Sequence, residues 1–146
     1  MLRFNENEYY VRIAREVARK STCIRRQYGA VLVKNNVIIS SGFNGSPDGE
    51  VGCCNAGECR REKNEDCKAV HAEINAIINA DPEKRKGAVL YLAGMENGKP
   101  LWNVQPCELC LRVLRNAGIS RVVSNWRNDD LAKTPGLPVT GAEETP

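Results

Sequence analysis

The sequence lacks the features of several protein classes. Its 146 residues contain no apolar run near the roughly 20 residues that a membrane-spanning helix needs, which argues against a membrane protein. Residues 1–6 contain no apolar stretch like that of a signal peptide, so we expect a cytoplasmic location. Aromatic residues make up only 5%, and the net charge of +3 comes with no basic run, so we expect no nucleic-acid partner.

The composition that remains is that of a folded protein. Hydrophobic residues make up 42%, and the length suits one core, so we predict a single domain over 1–146 with a loose tail after about residue 130. An odd count of seven cysteines without a secretion signal argues against a disulfide framework. Metal ligation accounts better for cysteines that cluster along the chain.

Apolar periodicity predicts alternating helices and strands. A helix is expected over 7–20, followed by a hairpin of strands 29–34 and 37–41 that turns at Asn35-Asn36. The later elements are a helix on which Val70, Ile74, Ile77 and Ile78 lie, a strand over 88–93 and a loop over 94–105. They are followed by a helix from Cys107 to Ala117 that stops at Gly118, a strand over 119–124 and a short strand over 137–140. This order predicts the α/β class, with a mixed sheet between helices.

Two short motifs supply candidate metal ligands. They are His71-Ala72-Glu73 and Pro106-Cys107-Glu108-Leu109-Cys110, each at the predicted start of a helix. His71, Cys107 and Cys110 give three zinc ligands, and a zinc ion with three protein ligands keeps one position for water. Glu73 lies two residues beyond His71, where a carboxylate can move protons without binding the metal. The pattern therefore predicts catalytic zinc with Glu73 as acid and base for hydrolytic deamination.

Simpler interpretations of the same residues remain open. A Cys-x-x-Cys pair with one histidine forms a structural zinc site when a fourth ligand is present, and the pair alone can be a redox couple. The single histidine can also be an ordinary polar residue. A non-catalytic zinc module is therefore the rival interpretation from a different functional class.

These residues resemble the cytidine and deoxycytidylate deaminase superfamily, and most closely the deoxycytidylate (dCMP) deaminases. His-x-Glu followed by Pro-Cys-x-x-Cys is the established signature of zinc deaminases. The similarity extends over stretches 23–34, 38–49, 71–77, 106–110 and 117–123. It includes Gly-Phe-Asn-Gly-Ser-Pro, residues 42–47, which is similar to the substrate loop of nucleotide deaminases.

The resemblance implies a fold, a reaction and a set of contacts. The fold would be a three-layer α/β/α sandwich around a five-stranded mixed sheet, and the reaction would convert dCMP to dUMP and ammonia. Asn44 would contact the sugar, the backbone near Ala72 would read the pyrimidine edge, and Arg25 or Arg26 would meet the 5′-phosphate. Asn44 can equally be a turn residue, and the two arginines a solvated surface. The family also implies a homo-oligomer and the effectors dCTP and dTTP.

The chain departs from the family pattern at two places. Segment 94–105 is longer than usual, and Trp126 follows the fourth strand where a tyrosine is common. Trp126 can stack on a base or simply pack. Because segment 94–105 adjoins the expected site, the departures leave room for another amino-bearing nucleoside, nucleotide or base, or for an RNA- or DNA-editing deaminase.

The remaining cysteines suggest a second metal. Cys23, Cys54, Cys59 and Cys67 can form a four-thiolate structural zinc site, with Cys53 as a substitute for Cys54. Such a site would fasten the long polar loop between the hairpin and the second helix, which has no apolar core of its own. The alternative is that these thiols are buried or idle.

Overall fold

The computed structural model describes residues 3–50, 52, 57–63, 66–125 and 139–142. Its helices are α1 (Glu6–Ala18), α2 (Ala72–Asn79), α3 (Pro82–Arg85) and α4 (Glu108–Asn116). Its strands are β1 (Gln27–Lys34), β2 (Val37–Phe43), β3 (Val89–Glu96), β4 (Lys99–Pro100), β5 (Arg121–Asn125) and β6 (Val139–Ala142). Cys53, Cys54, Trp126 and most of the predicted tail lie outside the described residues. Within the described ranges, no helix has the length and apolar character to cross a membrane.

One mixed sheet organises the fold. Five strands follow the order β2-β1-β3-β5-β6, and the short β4 pairs with β3. Strand β1 is antiparallel to both β2 and β3, whereas β5 is parallel to both β3 and β6. Asn35 and Asn36 have φ of 51° and 62°, as expected for the tight turn between β1 and β2. The predicted mixed sheet is therefore confirmed, with β4 as an additional short strand.

Helices cover both faces of this sheet. Along β1, Ala30 and Leu32 pack into a core cluster with α2 and α4, and Val31 and Val33 pack into a second cluster with α1. Because both faces are buried, the strand is a continuous apolar run instead of an alternating one. The three-layer α/β/α sandwich is confirmed.

Segment 94–105 is less irregular than the sequence predicts. Strand β3 continues to Glu96, then Asn97 and Gly98, with φ of 51° and 74°, turn the chain into β4. Gly94 begins the predicted loop, but it lies within β3, where a Cβ would come within 2.8 Å of the Tyr28 ring. The predicted loop over 94–96 is therefore wrong, because Gly94 makes room for a neighbouring side chain.

The second helix also begins later than its apolar pattern suggests. Val70 lies before α2 and forms an isolated bridge with Gly45, with N···O distances of 2.8 and 3.2 Å. The placement of Val70 in the helix is wrong, because its apolar side chain belongs to an extended segment. This bridge joins the start of α2 to the segment that follows β2.

Helix α2 is held closely against the hairpin. A Cβ on Gly42 of β2 would lie 2.3 Å from the Ala76 backbone nitrogen, so the two backbones approach as closely as glycine permits. Asn75 and Asn79 donate side-chain N–H groups to the Phe43 and Ser41 carbonyls, both at 2.8 Å. The helix that begins beside His71 is thereby fixed on β2.

Candidate active site

The two motifs meet because two helices begin side by side. His71 is the N-cap of α2 and Cys107 is the N-cap of α4, both with extended backbone angles. The sequence predicts them within the first helical turns, and the structure places each one residue earlier. At that position the side chain lies at the positive end of the helix dipole, which favours thiolate sulfur.

Three donor atoms lie within ligand distance of one another. His71 Nδ1 is 3.3 Å from Cys110 Sγ and 3.5 Å from Cys107 Sγ, and all three atoms lie within 4.8 Å. The Cys110 backbone N–H donates to Cys107 Sγ at 3.3 Å, which orients that sulfur. One imidazole nitrogen and two sulfurs form a donor set that suits zinc. Elsewhere in the described ranges, no other three ligand-type side chains gather in this way.

Glu73 lies beside these donors but outside the ligand group. It is on the first turn of α2 and only 5% exposed. Burial raises the pKa of the Glu73 carboxyl, whereas its backbone hydrogen bond, His71 and Cys110 act in the opposite direction. A carboxyl group whose environment favours the protonated form is suited to hold and pass on a proton.

Cys110 is the buried member of the ligand group. Burial, followed by the neighbouring Glu73, raises the pKa of the Cys110 thiol in the protein alone. A divalent cation reverses this preference, because a coordinating thiol is deprotonated by the ion's charge. Metal binding and thiolate formation at Cys110 are therefore coupled.

The donors open into a cleft of about 190 Å³. His71, Ala72, Glu73 and Cys107 line it on one side, and Leu92 and Val104 add apolar surface. Its other lining residues are Cys23, Arg25, Arg26, Tyr28, Asn44, Cys59, Arg61, Cys67, Ala69 and Gln105. The cleft therefore brings together every residue that the sequence proposes for substrate binding.

Asn44 lines the cleft and also fixes its wall. Its Oδ1 accepts the Tyr28 backbone N–H at 2.8 Å, and its Nδ2 donates to the Arg26 carbonyl at 3.0 Å. An amide has two acceptor sites and two N–H donors, so each atom keeps capacity for a further bond. A turn role alone does not account for Asn44. Its side chain is only 6% exposed and hydrogen-bonds to the backbone of Arg26 and Tyr28 at the start of β1.

The first residue of α2 also lines the cleft. Ala72 is fully buried and is the first residue of the helix. The His71 side chain accepts no hydrogen bond from the backbone N–H groups in the first turn of α2. It therefore does not act as a side-chain cap for this helix.

The arginines of the cleft differ in their surroundings. Arg26 Nε lies 3.5 Å from Glu96 Oε1, and a hydrogen bond with Tyr28, together with Glu96, raises the pKa of the Arg26 guanidinium. Glu96 belongs to the part of β3 that the sequence predicts as loop. Sequence reasoning missed Tyr28 and Arg61 as cleft residues and Glu96 as the partner of Arg26, and only the proximity of Arg61 to Cys59 was a signal.

The remaining described cysteines lie together at one end of the cleft. Cys23, Cys59 and Cys67 line both the cleft and a smaller cavity of about 40 Å³. They do not gather within ligand distance as His71, Cys107 and Cys110 do. The predicted fourth ligand, Cys54, and its substitute, Cys53, lie outside the described residues.

Known proteins are similar to this chain in sequence and in fold. Residues 4–125 match the family model described as the cytidine and deoxycytidylate deaminase zinc-binding region. The deoxycytidylate deaminase of Mycobacterium phage D29 is 34% identical over 136 residues, covering 84% of this chain and 96% of that protein. The deoxycytidylate deaminase of Schizosaccharomyces pombe is 30% identical over 125 residues, 80% of this chain but only 36% of that protein.

A solved structure shows the same fold. The dCMP deaminase from cyanophage S-TIM5, in complex with dCMP and dUMP, superposes with a TM-score of 0.71 at 24% identity. The match covers 97% of this chain and 99% of that one. With its zinc-ligand group and its family match over most of its length, this chain belongs to the cytidine and deoxycytidylate deaminase family.

Proposed function

We propose that this chain is a zinc-dependent hydrolytic deaminase that converts dCMP and water to dUMP and ammonia. The observation that carries the proposal is the zinc-ligand group beside a buried, non-ligand carboxyl group in one cleft. The names of the phage and yeast relatives and the S-TIM5 complex support dCMP as the substrate.

The residues of the cleft divide the chemistry between them. His71, Cys107 and Cys110 would hold the zinc, which when bound supplies Lewis-acid chemistry that makes water more acidic. Glu73 accepts a proton on its carboxylate as water adds to C4 of the cytosine, and passes that proton to N3. Glu73 then takes the proton of the C4 hydroxyl group and delivers it to the amino nitrogen, so that ammonia leaves as the C4–N4 bond breaks and the C4 carbonyl forms. Its buried setting suits it to hold the proton between these steps.

Substrate contacts follow from the lining of the cleft. We place the backbone near Ala72 against the pyrimidine edge, Asn44 at the sugar, and Arg25 or Arg26 at the 5′-phosphate. Asn44 keeps hydrogen-bonding capacity beyond its two backbone partners. A guanidinium group offers the paired donors that a phosphate accepts.

The first experiment measures turnover by mass spectrometry. The substrates are dCMP, CMP, deoxycytidine, cytidine, dCTP and a purine nucleotide, with the Glu73→Ala protein as the blank. We expect conversion of dCMP in clear preference to deoxycytidine. Equal or faster conversion of deoxycytidine would contradict nucleotide specificity. Failure to convert any of the substrates would overturn the substrate assignment.

We further propose a second, structural zinc held by Cys23, Cys54, Cys59 and Cys67, with Cys53 as the substitute for Cys54. The shared cavity lined by three of these thiols supports it. Cys59→Ser is expected to lower zinc from two toward one per chain and to lower the melting temperature. Ser46→Ala, in the same cavity, is the control and should leave the zinc count at two. An unchanged metal content in Cys59→Ser would exclude the second site.

The sequence and the family resemblance also suggest wider properties of the chain. We propose a single domain over 1–146 with a tail after about residue 130, a cytoplasmic location, a homo-oligomer, and dCTP and dTTP as effectors. Ile78 on α2 and Leu109 on α4 are 67% and 54% exposed, which supports a surface covered by another copy. Light scattering with and without the two triphosphates tests the assembly and its response.

A further inference from the structure

The cleft contains more positive charge than the deamination chemistry uses. Arg25, Arg26 and Arg61 all line it, whereas Glu73 is the sole carboxylate among its lining residues in the described part of the chain. Glu73 is assigned to proton transfer beside the metal ligands. No second carboxylate among the described lining residues is present to neutralise the three guanidinium groups.

The three arginines are not equivalent. Arg26 Nε lies 3.5 Å from Glu96 Oε1, so one edge of its guanidinium group already faces a carboxylate. Arg25 and Arg61 form no ion pair or hydrogen bond with any residue that the structure describes. The two guanidinium groups therefore remain available to a ligand in the cleft.

The position of Arg61 is set by its neighbours in the chain. It begins the 3-10 turn Arg61–Lys63, two residues after Cys59, which is only 7% exposed. The buried Cys59 anchors the backbone, and the exposed Arg61 lines both the cleft and the smaller cavity. Arg60, between them, lines the smaller cavity and not the cleft.

We propose that Arg61, together with Arg25, contacts the 5′-phosphate and is the residue that makes the site select nucleotides over nucleosides. This inference rests on the proposed function and deepens it. A phosphate monoester has about two negative charges and three acceptor oxygens. The guanidinium groups of Arg25 and Arg61 each offer paired N–H donors that suit these oxygens. Arg26 faces Glu96, so part of its charge is already offset and it contributes less to phosphate binding than the other two arginines.

The test separates phosphate recognition from folding and from catalysis. Calorimetry measures the dissociation constants of dUMP and deoxyuridine for the wild type, Arg61→Ala and Arg61→Lys, with Arg60→Ala as the matched control. Arg61→Ala is expected to weaken dUMP binding on the order of 10- to 100-fold, as for the loss of a charge-assisted hydrogen bond. Deoxyuridine binding should stay within about twofold in every variant.

Arg61→Lys and the kinetics add independent readouts. Lysine keeps the positive charge but lacks the paired N–H donors of arginine. The dUMP affinity of Arg61→Lys should therefore lie between those of the wild type and Arg61→Ala. In turnover assays, Arg61→Ala should raise KM for dCMP with kcat little changed.

Several results would overturn the assignment of Arg61. They are unchanged dUMP binding, equal weakening of dUMP and deoxyuridine, or an equal effect in Arg60→Ala. If Arg61→Ala fails to fold, Arg61→Lys decides, and wild-type affinity for dUMP in that variant contradicts a paired phosphate contact. A wild type that binds dUMP but deaminates no substrate would overturn the proposed function and leave the role of Arg61 standing.

Discussion

Replacing Glu73 with glutamine is expected to lower kcat by about 100- to 10,000-fold, the usual contribution of a general acid–base group. Glutamine preserves the size of the side chain but cannot accept and release a proton. Because Glu73 lies outside the donor group formed by His71, Cys107 and Cys110, zinc content should not change. The measurements are dCMP turnover and zinc per chain by mass spectrometry.

The matched control for this change is Glu108→Gln. Glu108 directly follows the ligand Cys107, but its side chain is 89% exposed and its ion-pair partner is Arg112, at 3.8 Å. Turnover and zinc content should both remain at the wild-type level. Loss of zinc from Glu73→Gln in proportion to activity would identify Glu73 as a ligand and refute its assignment as the proton carrier.

Replacing Gly42 with alanine is expected to produce a large loss of stability. The added Cβ would meet the backbone of α2, with the Ala76 nitrogen at 2.3 Å and the Ala72 oxygen at 2.6 Å. Backbone atoms cannot swing aside as a flexible side chain can, so α2 must move. Overpacking of this kind costs about 3 kcal/mol, which for a domain of this size lowers the melting temperature by roughly 10 °C.

The same change should also impair turnover. Helix α2 begins beside His71 and contains Glu73, so a shift of the helix displaces both residues relative to Cys107 and Cys110. A displacement of about 1 Å can reduce the rate on the order of 100-fold. Thermal unfolding and kcat, measured on the same preparation, should fall together.

Gly45→Ala is the control for the loss of a glycine. A Cβ there would find its nearest neighbour, Thr22 Oγ1, at 3.9 Å, an ordinary van der Waals contact. Replacing an unstrained glycine reduces the freedom of the unfolded chain, so stability should be unchanged or slightly higher. Equal melting temperatures for the two variants would show that α2 does not require glycine at position 42.

Most of the ligand group and the layer order could be predicted from local sequence. A helix start at His71 and another at Cys107 follow from adjacent residues, and the Cys-x-x-Cys spacing brings two sulfurs close within one turn. The double-sided apolar character of β1, as in Val31 and Leu32, likewise requires cover on both faces. Such features depend on neighbours in the chain, so the sequence alone determined them.

Only the tertiary structure decided which distant groups share the cleft. Gly94 and Val70 were misassigned because their roles depend on Tyr28 and Gly45, residues far away in the sequence. The pairing of Arg26 with Glu96 likewise arises from the antiparallel contact of β1 with β3. The residues around Arg61 have the pattern of an ordinary polar loop. Arg61 lines the same cleft as His71 and Glu73, and this depends on how the loop packs against the rest of the fold. Contacts of this kind arise from strand pairing and packing between segments remote in the chain, and no local pattern of residues encodes them.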